Sequence, residues 1–396
     1  MLYYLAIFAY ILFCWIWSSQ PGFDKGKSDF LYWSVFLLFW FTAGWRYETG
    51  TDYFAYDELY RTTTTLGEAQ QAGGITSDLG TTDIGYMLLN SLFRTIGTDI
   101  NIMFFLIAFV TNLLLFGSIG KYLPRYRFPC ILAYYTFCFF TLDMNGIRQS
   151  IAVCIFIYSL RYIQQRQTVR YAATILIAAL FHLSAVVVLP LYWIVNRRFP
   201  SWLLYTTTMV GFTVIALRIP VVEILVQKLI VPVLPWAGAV YKLGVYTSEE
   251  GIKAWGLNSK LLLYMAGLVY IIRRRKLLDG MTPYANILLN LFAIYIFCRG
   301  MLWESIELNS RINYYFIFGL IAGLVMLPDT LRIAKNRLIA SMLLIAVIFY
   351  QGNLWLLGSV HAKSYLPYQN YLVHRIFDLP STGRERLNQQ AEAEQQ

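Results

Sequence analysis

Eleven apolar runs succeed one another along the chain, at 2–17, 30–44, 102–118, 128–142, 146–163, 171–195, 202–217, 257–272, 284–298, 312–327 and 338–357. Several approach the roughly 20 residues a membrane-spanning helix needs, and the shorter ones can borrow flanking residues. A chain that is 58% hydrophobic and only 14% charged cannot hide this much apolar surface in a soluble core. The expected fold is all-α, a polytopic membrane helical bundle with about 10 spanning helices. A broken helical hairpin near His182 and interfacial amphipathic helices on the outer face complete it. Residues 1–371 are expected to form a single integral membrane domain, and the polar tail, 372–396, to be disordered. The first run has no basic residue before it, so it reads as a retained helix rather than a cleaved leader.

The basic residues set the orientation. Of 32 Lys and Arg, 17 fall in six short clusters: 25/27, 121/125/127, 161/166/170, 197/198, 273–276 and 332/335/337. All six should face the cytoplasm, where they are expected to lack acidic or histidine partners. The net charge of +10 is thereby explained by topology, and nucleic-acid binding gains no support. If 171–195 crossed the membrane once, Arg197 and Arg198 and the two later clusters would fall outside. A hairpin that enters from the cytoplasm, turns near His182 and returns removes all three violations. Broken backbone at depth needs polar surroundings, so the turn predicts a polar pocket. A histidine bonded to a helix neighbour is the plainer alternative. The five cysteines lie within apolar runs as small hydrophobes, with no disulfide framework or metal-ligand spacing.

Between 46 and 99 the chain holds eight acidic and three basic residues, so this segment should face outward. It opens with Trp45-Arg-Tyr-Glu-Thr-Gly-Thr-Asp-Tyr-Phe-Ala-Tyr56, a concentration of charge and phenol at a helix exit. That fits a polar ligand site or an aromatic belt at the lipid boundary. Within it, 84–96 is amphipathic: Ile84, Leu88, Leu92 and Ile96 repeat every four residues, with Asn90, Ser91, Arg94 and Thr95 opposite. A second interfacial helix is expected over 221–231, with Glu223, Gln227 and Lys228 on one side. The outer ends of the runs also carry Arg46, Asp52, Asp83, Asp143, Asn145, Arg148, Gln149, Arg299, Glu304, Glu307 and Arg311. Arg148 begins a helix, where a guanidinium and the helix N-terminus together favour an anion. Arg311 repeats this before the run from 312. Two such arginines at one cavity would suit a pyrophosphate; ion pairs of Arg148 with Asp143 and Arg311 with Glu307 are the structural alternatives.

Five motifs occur in order: Trp45-Arg46-Tyr-x-x-Gly50-Thr-Asp52-Tyr53-x-x-Tyr56, Asp83-x-Gly85-Tyr86-x-x-Leu-Asn90, Asn145-Gly-Ile-Arg148-Gln149-x-Ile-Ala152, Ala178-x-x-Phe181-His182-x-Ser184-Ala185 and Arg311-x-x-Tyr-Tyr315-Phe316. Together they resemble the EpsG family, bacterial membrane proteins of exopolysaccharide, capsule and O-antigen synthesis related to Wzy-type polymerases. The resemblance runs from the first helix to about Tyr371. Two departures stand out: an aspartate, Asp83, where a glutamate is expected, and a long Gly/Thr-rich stretch between Tyr60 and Asp83.

The resemblance implies a glycosyltransferase of the inner membrane that joins undecaprenyl-pyrophosphate-linked repeat units at the outer face. Such a transfer needs the leaving group's charge held, which preorganised arginines can do without a metal or cofactor. It also needs a base near the acceptor hydroxyl. Arg148 and Arg311 are the expected pyrophosphate contacts, with Gln149 beside Arg148 and Arg46 or Arg299 as a further contact. Asp52, Asp83 or His182 is the expected base, and Tyr53 and Tyr56 the sugar-ring surfaces. Expected partners are the lipid-linked oligosaccharide, the bilayer, a chain-length regulator and a flippase. The alternative functions are a lipid-linked oligosaccharide flippase, an outer-face glycan ligase and an O-acetyltransferase. A flippase would want two similar halves and a cavity open to both sides.

Overall fold

The computed structural model describes residues 1–80, 82–225, 256–358 and 360–394. These are all-helical, 77% helix with no strand among the described residues. The helices follow the apolar runs closely because each run is long enough to satisfy its own backbone. In chain order they are α1 Leu2–Ser18, α2 Lys25–Gly44, α3 Tyr53–Thr62, α4 Leu66–Ala72, α5 Ile84–Ile96, α6 Ile100–Tyr122, α7 Arg127–Tyr134, α8 Ile147–Gln164 and α9 Thr168–Phe181. Then come α10 Leu191–Ile194, α11 Ser201–Ala216, α12 Val221–Leu225, α13 Ser259–Arg273, α14 Arg275–Asp279, α15 Ala285–Met301, α16 Ile306–Met326, α17 Ala334–Gly358, α18 Tyr371–Phe377 and α19 Gly383–Glu394. Of the interfacial helix expected over 221–231, only α12 falls within the described residues.

Two of the described helices are long and apolar enough to cross a membrane by length and composition, Ile100–Tyr122 and Ala334–Gly352. Five more are apolar but shorter, among them Leu2–Ser18 and Ala285–Met301. Large apolar side chains face outward along several helices: Leu106, Val110 and Leu113 on α6, and Leu338, Met342 and Leu343 on α17. Exposed apolar stripes of this extent suit a lipid surrounding better than water.

The described residues fall into two compact units. The first comprises 1–159, 172–186 and 341–396. Its core is aromatic: Phe39 of α2 lies 5.4 Å from Phe116 of α6 and 4.7 Å from Phe139, ring centre to ring centre. Gly44 lets α2 approach α6 closely, since a Cβ there would lie 2.9 Å from the Phe105 Cα. α5 has the expected bounds, and its faces are turned as an interfacial helix requires. Ile84 is 73% exposed and Leu88 50%, while Asn90 and Ser91 are buried. The polar face points inward and the apolar stripe outward, the arrangement that lies stably in a lipid interface.

The C-terminal tail is not disordered; α18 and α19 form and close over the Trp45–Tyr56 stretch. Tyr47 N–H donates to Gln369 O at 2.9 Å, and Tyr371 N–H to Trp45 O at 2.8 Å. The cause is Arg386 of α19, a buried cation in a segment that otherwise reads as polar coil. Its guanidinium donates to Pro367 O and Gln369 Oε1, both at 2.7 Å, and to Glu48 O at 2.8 Å.

The second unit comprises 160–171 and 187–340. Small residues set its helix crossings: a Cβ on Gly300 of α15 would fall onto the Gly211 carbonyl of α11. One on Gly319 of α16 would lie 2.5 Å from the Phe292 nitrogen of α15. Such close approach is typical of packing within membranes. The chain also doubles back here. Tyr171 O–H donates to Val188 O at 2.5 Å, its ring sits 5.6 Å from that of Tyr192, and Asn196 Nδ2 donates to Ile163 O at 3.1 Å. The two feet of the 171–195 run therefore lie side by side, as a hairpin requires.

The basic clusters do have acidic partners. Arg127 pairs with Asp29 and Ser28 in the first unit. Arg198 Nη2 lies 2.7 Å from Asp279 Oδ2 in the second, and Arg337 Nε 3.8 Å from Asp329. Interleaved carboxylates temper the charge of these loops without changing their net sign.

Candidate functional site

Three residues far apart in sequence meet in the first unit, each at a helix end. Asp83 is the N-cap residue of α5, yet its side chain makes no cap hydrogen bond. An aspartate there ordinarily accepts a backbone N–H of the first turn, worth about 1 kcal/mol. Here the carboxylate turns away: Oδ2 accepts Arg148 Nη1 at 2.7 Å and Oδ1 accepts the Leu183 N–H at 3.2 Å. Arg148 is the second residue of α8. His182 stands where α9 ends at Phe181 and a 3-10 turn, Leu183–Val188, begins. Its Nδ1 lies 3.7 Å from Asp83 Oδ2, an electrostatic contact too long for a hydrogen bond. Gly85 lets α5 reach this break, because a Cβ there would lie 2.9 Å from the Leu180 carbonyl oxygen.

The cluster is half-buried, with 31% of the Arg148 side chain exposed and 14% of Asp83 and of His182. Burial pushes the Asp83 carboxyl upward, but the His182 ring, the Arg148 guanidinium and the Leu183 N–H outweigh it and hold it below the ordinary value. Asp83 is therefore a carboxylate at neutral pH. Arg148 also donates to the Thr82 hydroxyl, and its guanidinium carbon lies 6.0 Å from the Tyr56 ring centre. Arg148 Nε, both His182 ring nitrogens and the Tyr86 hydroxyl are buried without a hydrogen-bond partner among the described residues. These orphaned donors and acceptors are costly to keep in a protein that does not use them.

Asp52 reaches the same helix start by another route. Its N–H donates to Asn145 Oδ1 at 2.8 Å, beside the Thr51 hydroxyl at 2.9 Å, and Asn145 precedes Arg148 by three residues. Asp52 too is an N-cap, of α3, that makes no side-chain cap bond. Tyr56 follows one turn on, its ring 5.5 Å from that of Tyr86. Gln149 is buried in α8.

Other expected residues sit elsewhere. Tyr53 points into a separate cleft. Arg46 is only 2% exposed: Nη1 donates to Ala43 O at 2.6 Å and its guanidinium lies 4.4 Å from the Phe104 ring centre. It is an interior cation rather than an open contact. Arg148 pairs with Asp83 and not with Asp143, because Asp143 is drawn inward. Asp143 accepts Tyr134 O–H at 2.7 Å and Ser150 O–H at 2.9 Å, and burial raises its carboxyl to about 6. Arg299 and Arg311 belong to the second unit. Arg311 pairs with Glu307 one turn earlier, as the structural alternative supposed, and Arg299 Nη1 donates to Asn309 Oδ1 at 2.9 Å. Glu304 accepts the Val222 N–H at 2.6 Å and so anchors α12.

The sequence assigns no role to Thr82, and it carries Tyr86 only as part of the Asp83-x-Gly85-Tyr86 motif. Tyr86 stands three residues after Asp83 on the same helix face, and that spacing was the available signal.

Among known proteins, the family model described as EpsG family matches residues 29–370, nearly the whole chain. No curated protein and no solved structure matches it.

Proposed function

We propose, from the premise that this chain belongs to the EpsG family of exopolysaccharide-associated membrane proteins, that it polymerises lipid-linked repeat units. The donor is an oligosaccharide on undecaprenyl pyrophosphate, and the reaction takes place at the outer face of the bacterial inner membrane. The apolar helices make up a polytopic bundle, and the 171–195 hairpin carries His182 part-way into it from the cytoplasmic side.

The observation that carries this reading is the meeting of Asp83, Arg148 and His182 with their hydrogen-bonding capacity incompletely used. In the transfer, the bond from the anomeric carbon to the pyrophosphate oxygen breaks as the acceptor hydroxyl attacks. Arg148, at the start of α8, donates to the departing oxygens, so no acid is needed for a leaving group already this stable. His182, whose Nδ1 faces the Asp83 carboxylate across 3.7 Å, takes the acceptor proton on Nε2; Asp52 is the second candidate base. Asp83 itself is poorly suited as the base, because its depressed titration makes it a weak proton acceptor.

The test uses cells making the native polysaccharide. Arg148→Ala and His182→Ala should abolish long chains and leave single repeat units on lipid at the outer face. Units trapped on the cytoplasmic side would point instead to a flippase, and unaltered chains would refute the assignment.

A further inference from the structure

A second cavity, of about 400 Å³, lies in the first unit beside α3, the start of α6 and α18. Tyr47 stands at its centre, with ring centres of His374 at 5.3 Å, Tyr371 at 5.8 Å and Tyr53 at 6.4 Å. Tyr53 O–H donates to Asn101 Oδ1 at 2.9 Å, and Asn101 Nδ2 to Asp99 Oδ1 at 2.6 Å. Glu48, Asp57, Asp99 and Asp378 line the cavity against Arg61 and Arg375. Arg61 is already committed to Asp57 at 2.9 Å. The wall is thus net negative and rich in rings.

That combination rejects a pyrophosphate and is too polar for an acyl chain. No group of three or more potential metal ligands occurs among the described residues. What fits is a saccharide: its C–H faces pack on phenol and imidazole rings, and its hydroxyls donate to carboxylates. Helix α3 joins this cleft to the Arg148 cluster. Tyr53, Asp57 and Arg61 recur every four residues along its cleft face, and Tyr56, on the adjacent face, meets Arg148. A helix with its side chains is about 10 Å across, so an occupant reaching both faces has to be an oligosaccharide.

We propose that this cleft binds a neutral or amine-bearing segment of the glycan, several sugars away from the bond being made. The inference rests on the polymerase reading and adds a chain-holding subsite whose specificity is set by Tyr371, His374 and Asp99. It also gives the C-terminal helices a purpose, since α18 supplies two of the four rings.

The experiment uses the full-length protein in detergent and an oligosaccharide released by mild acid from the host's own surface polysaccharide, free of lipid and phosphate. Binding to the wild type is expected, weakened about tenfold in Tyr371→Ala and in His374→Ala. Tyr371→Phe keeps the ring and should bind as the wild type does, and an unchanged melting temperature in Tyr371→Ala separates loss of the site from loss of the fold. Oligogalacturonate, a polyanion of similar size, should not bind. In cells, Tyr371→Ala should shorten the chains without abolishing them. Equal binding by the alanine variants, no binding to the wild type, or preference for the polyanion would overturn the cleft assignment. Polymer that survives Arg148→Ala would instead overturn the polymerase reading, whatever the cleft binds.

Discussion

Asp83 Oδ2 and Arg148 Nη1 lie 2.7 Å apart although 65 residues separate them in the chain. The contact is made by a carboxylate that forgoes capping its own helix. A local stabilising bond has been exchanged for a long-range one that brings α5, α8 and the end of α9 together. Such an exchange is expected where position matters more than stability.

Asp83→Asn removes the charge and keeps the shape. The half-buried guanidinium then loses its counter-ion, a cost of about 2 kcal/mol between the exposed and buried limits. The sign of the pH dependence follows from the depressed titration of Asp83. Its stabilisation is present above the unfolded carboxylate value, roughly pH 4, and is lost as pH falls through the lower folded value. Melting curves in detergent should show the wild type ahead of Asp83→Asn at pH 7, with the gap closing toward pH 3. Polymer synthesis should fall about a hundredfold, because the negative charge facing His182 Nδ1 is lost as the ring takes up its proton.

Asp143 should behave in the opposite sense. Its folded carboxyl is raised to about 6 by burial. Below roughly pH 4 both states are protonated and nothing is lost; between there and pH 6 the unfolded chain ionises while the fold resists, so stability declines as pH rises. Above pH 6 the penalty is complete. Asp143→Asn does not titrate, so relative to wild type it should gain up to roughly 3 kcal/mol between pH 4 and 7. A gap that stays flat with pH would show that Asp143 is not held protonated.

The helices were legible in the residues because eleven apolar runs leave the backbone little alternative. The break at His182 was legible from charge bookkeeping, since only a reversal keeps Arg197 on the same side as its predecessors. The facing of α5 agrees with its reading as an interfacial helix, whose four-residue apolar stripe turns away from the protein. The partner of Arg148 was not legible, because Asp83 and Asp143 are both carboxylates in turns and only three-dimensional packing shows that Tyr134 and Ser150 claim the second. The tail misled for a similar reason. One buried arginine, Arg386, orders a segment whose composition is that of a coil.

Arg386 accordingly gives a third expectation. It is 5% exposed and holds four backbone or side-chain oxygens from residues 48 to 369. Arg386→Ala leaves those acceptors short of donors, at a cost of about 3 kcal/mol. Truncation before Gly383 should cost at least as much. Both changes should expose the Trp45–Tyr56 stretch, read as faster proteolysis there and a lower melting temperature. An unchanged protease pattern would show that the tail is dispensable for this region.

The close crossing of α15 and α16 in the second unit offers a prediction whose sign depends on which glycine is replaced. A methyl on Gly319 would lie 2.5 Å from the Phe292 nitrogen and 2.6 Å from the Leu291 Cβ, so α15 and α16 must move apart. A methyl on Gly267 would sit 3.7 Å from Leu324 Cδ2, an ordinary contact. Alanine is intrinsically better than glycine within a helix by about 1 kcal/mol. Gly267→Ala should therefore hold or raise the melting temperature. Gly319→Ala sets that gain against an overpacking cost of typically 1–3 kcal/mol and loses, because the opposing atoms are backbone and Cβ, which cannot rotate away. Lower stability in Gly319→Ala together with equal or higher stability in Gly267→Ala is the expected pair of results from thermal unfolding in detergent. Equal effects at the two positions would mean that the α15–α16 contact is looser than its geometry indicates.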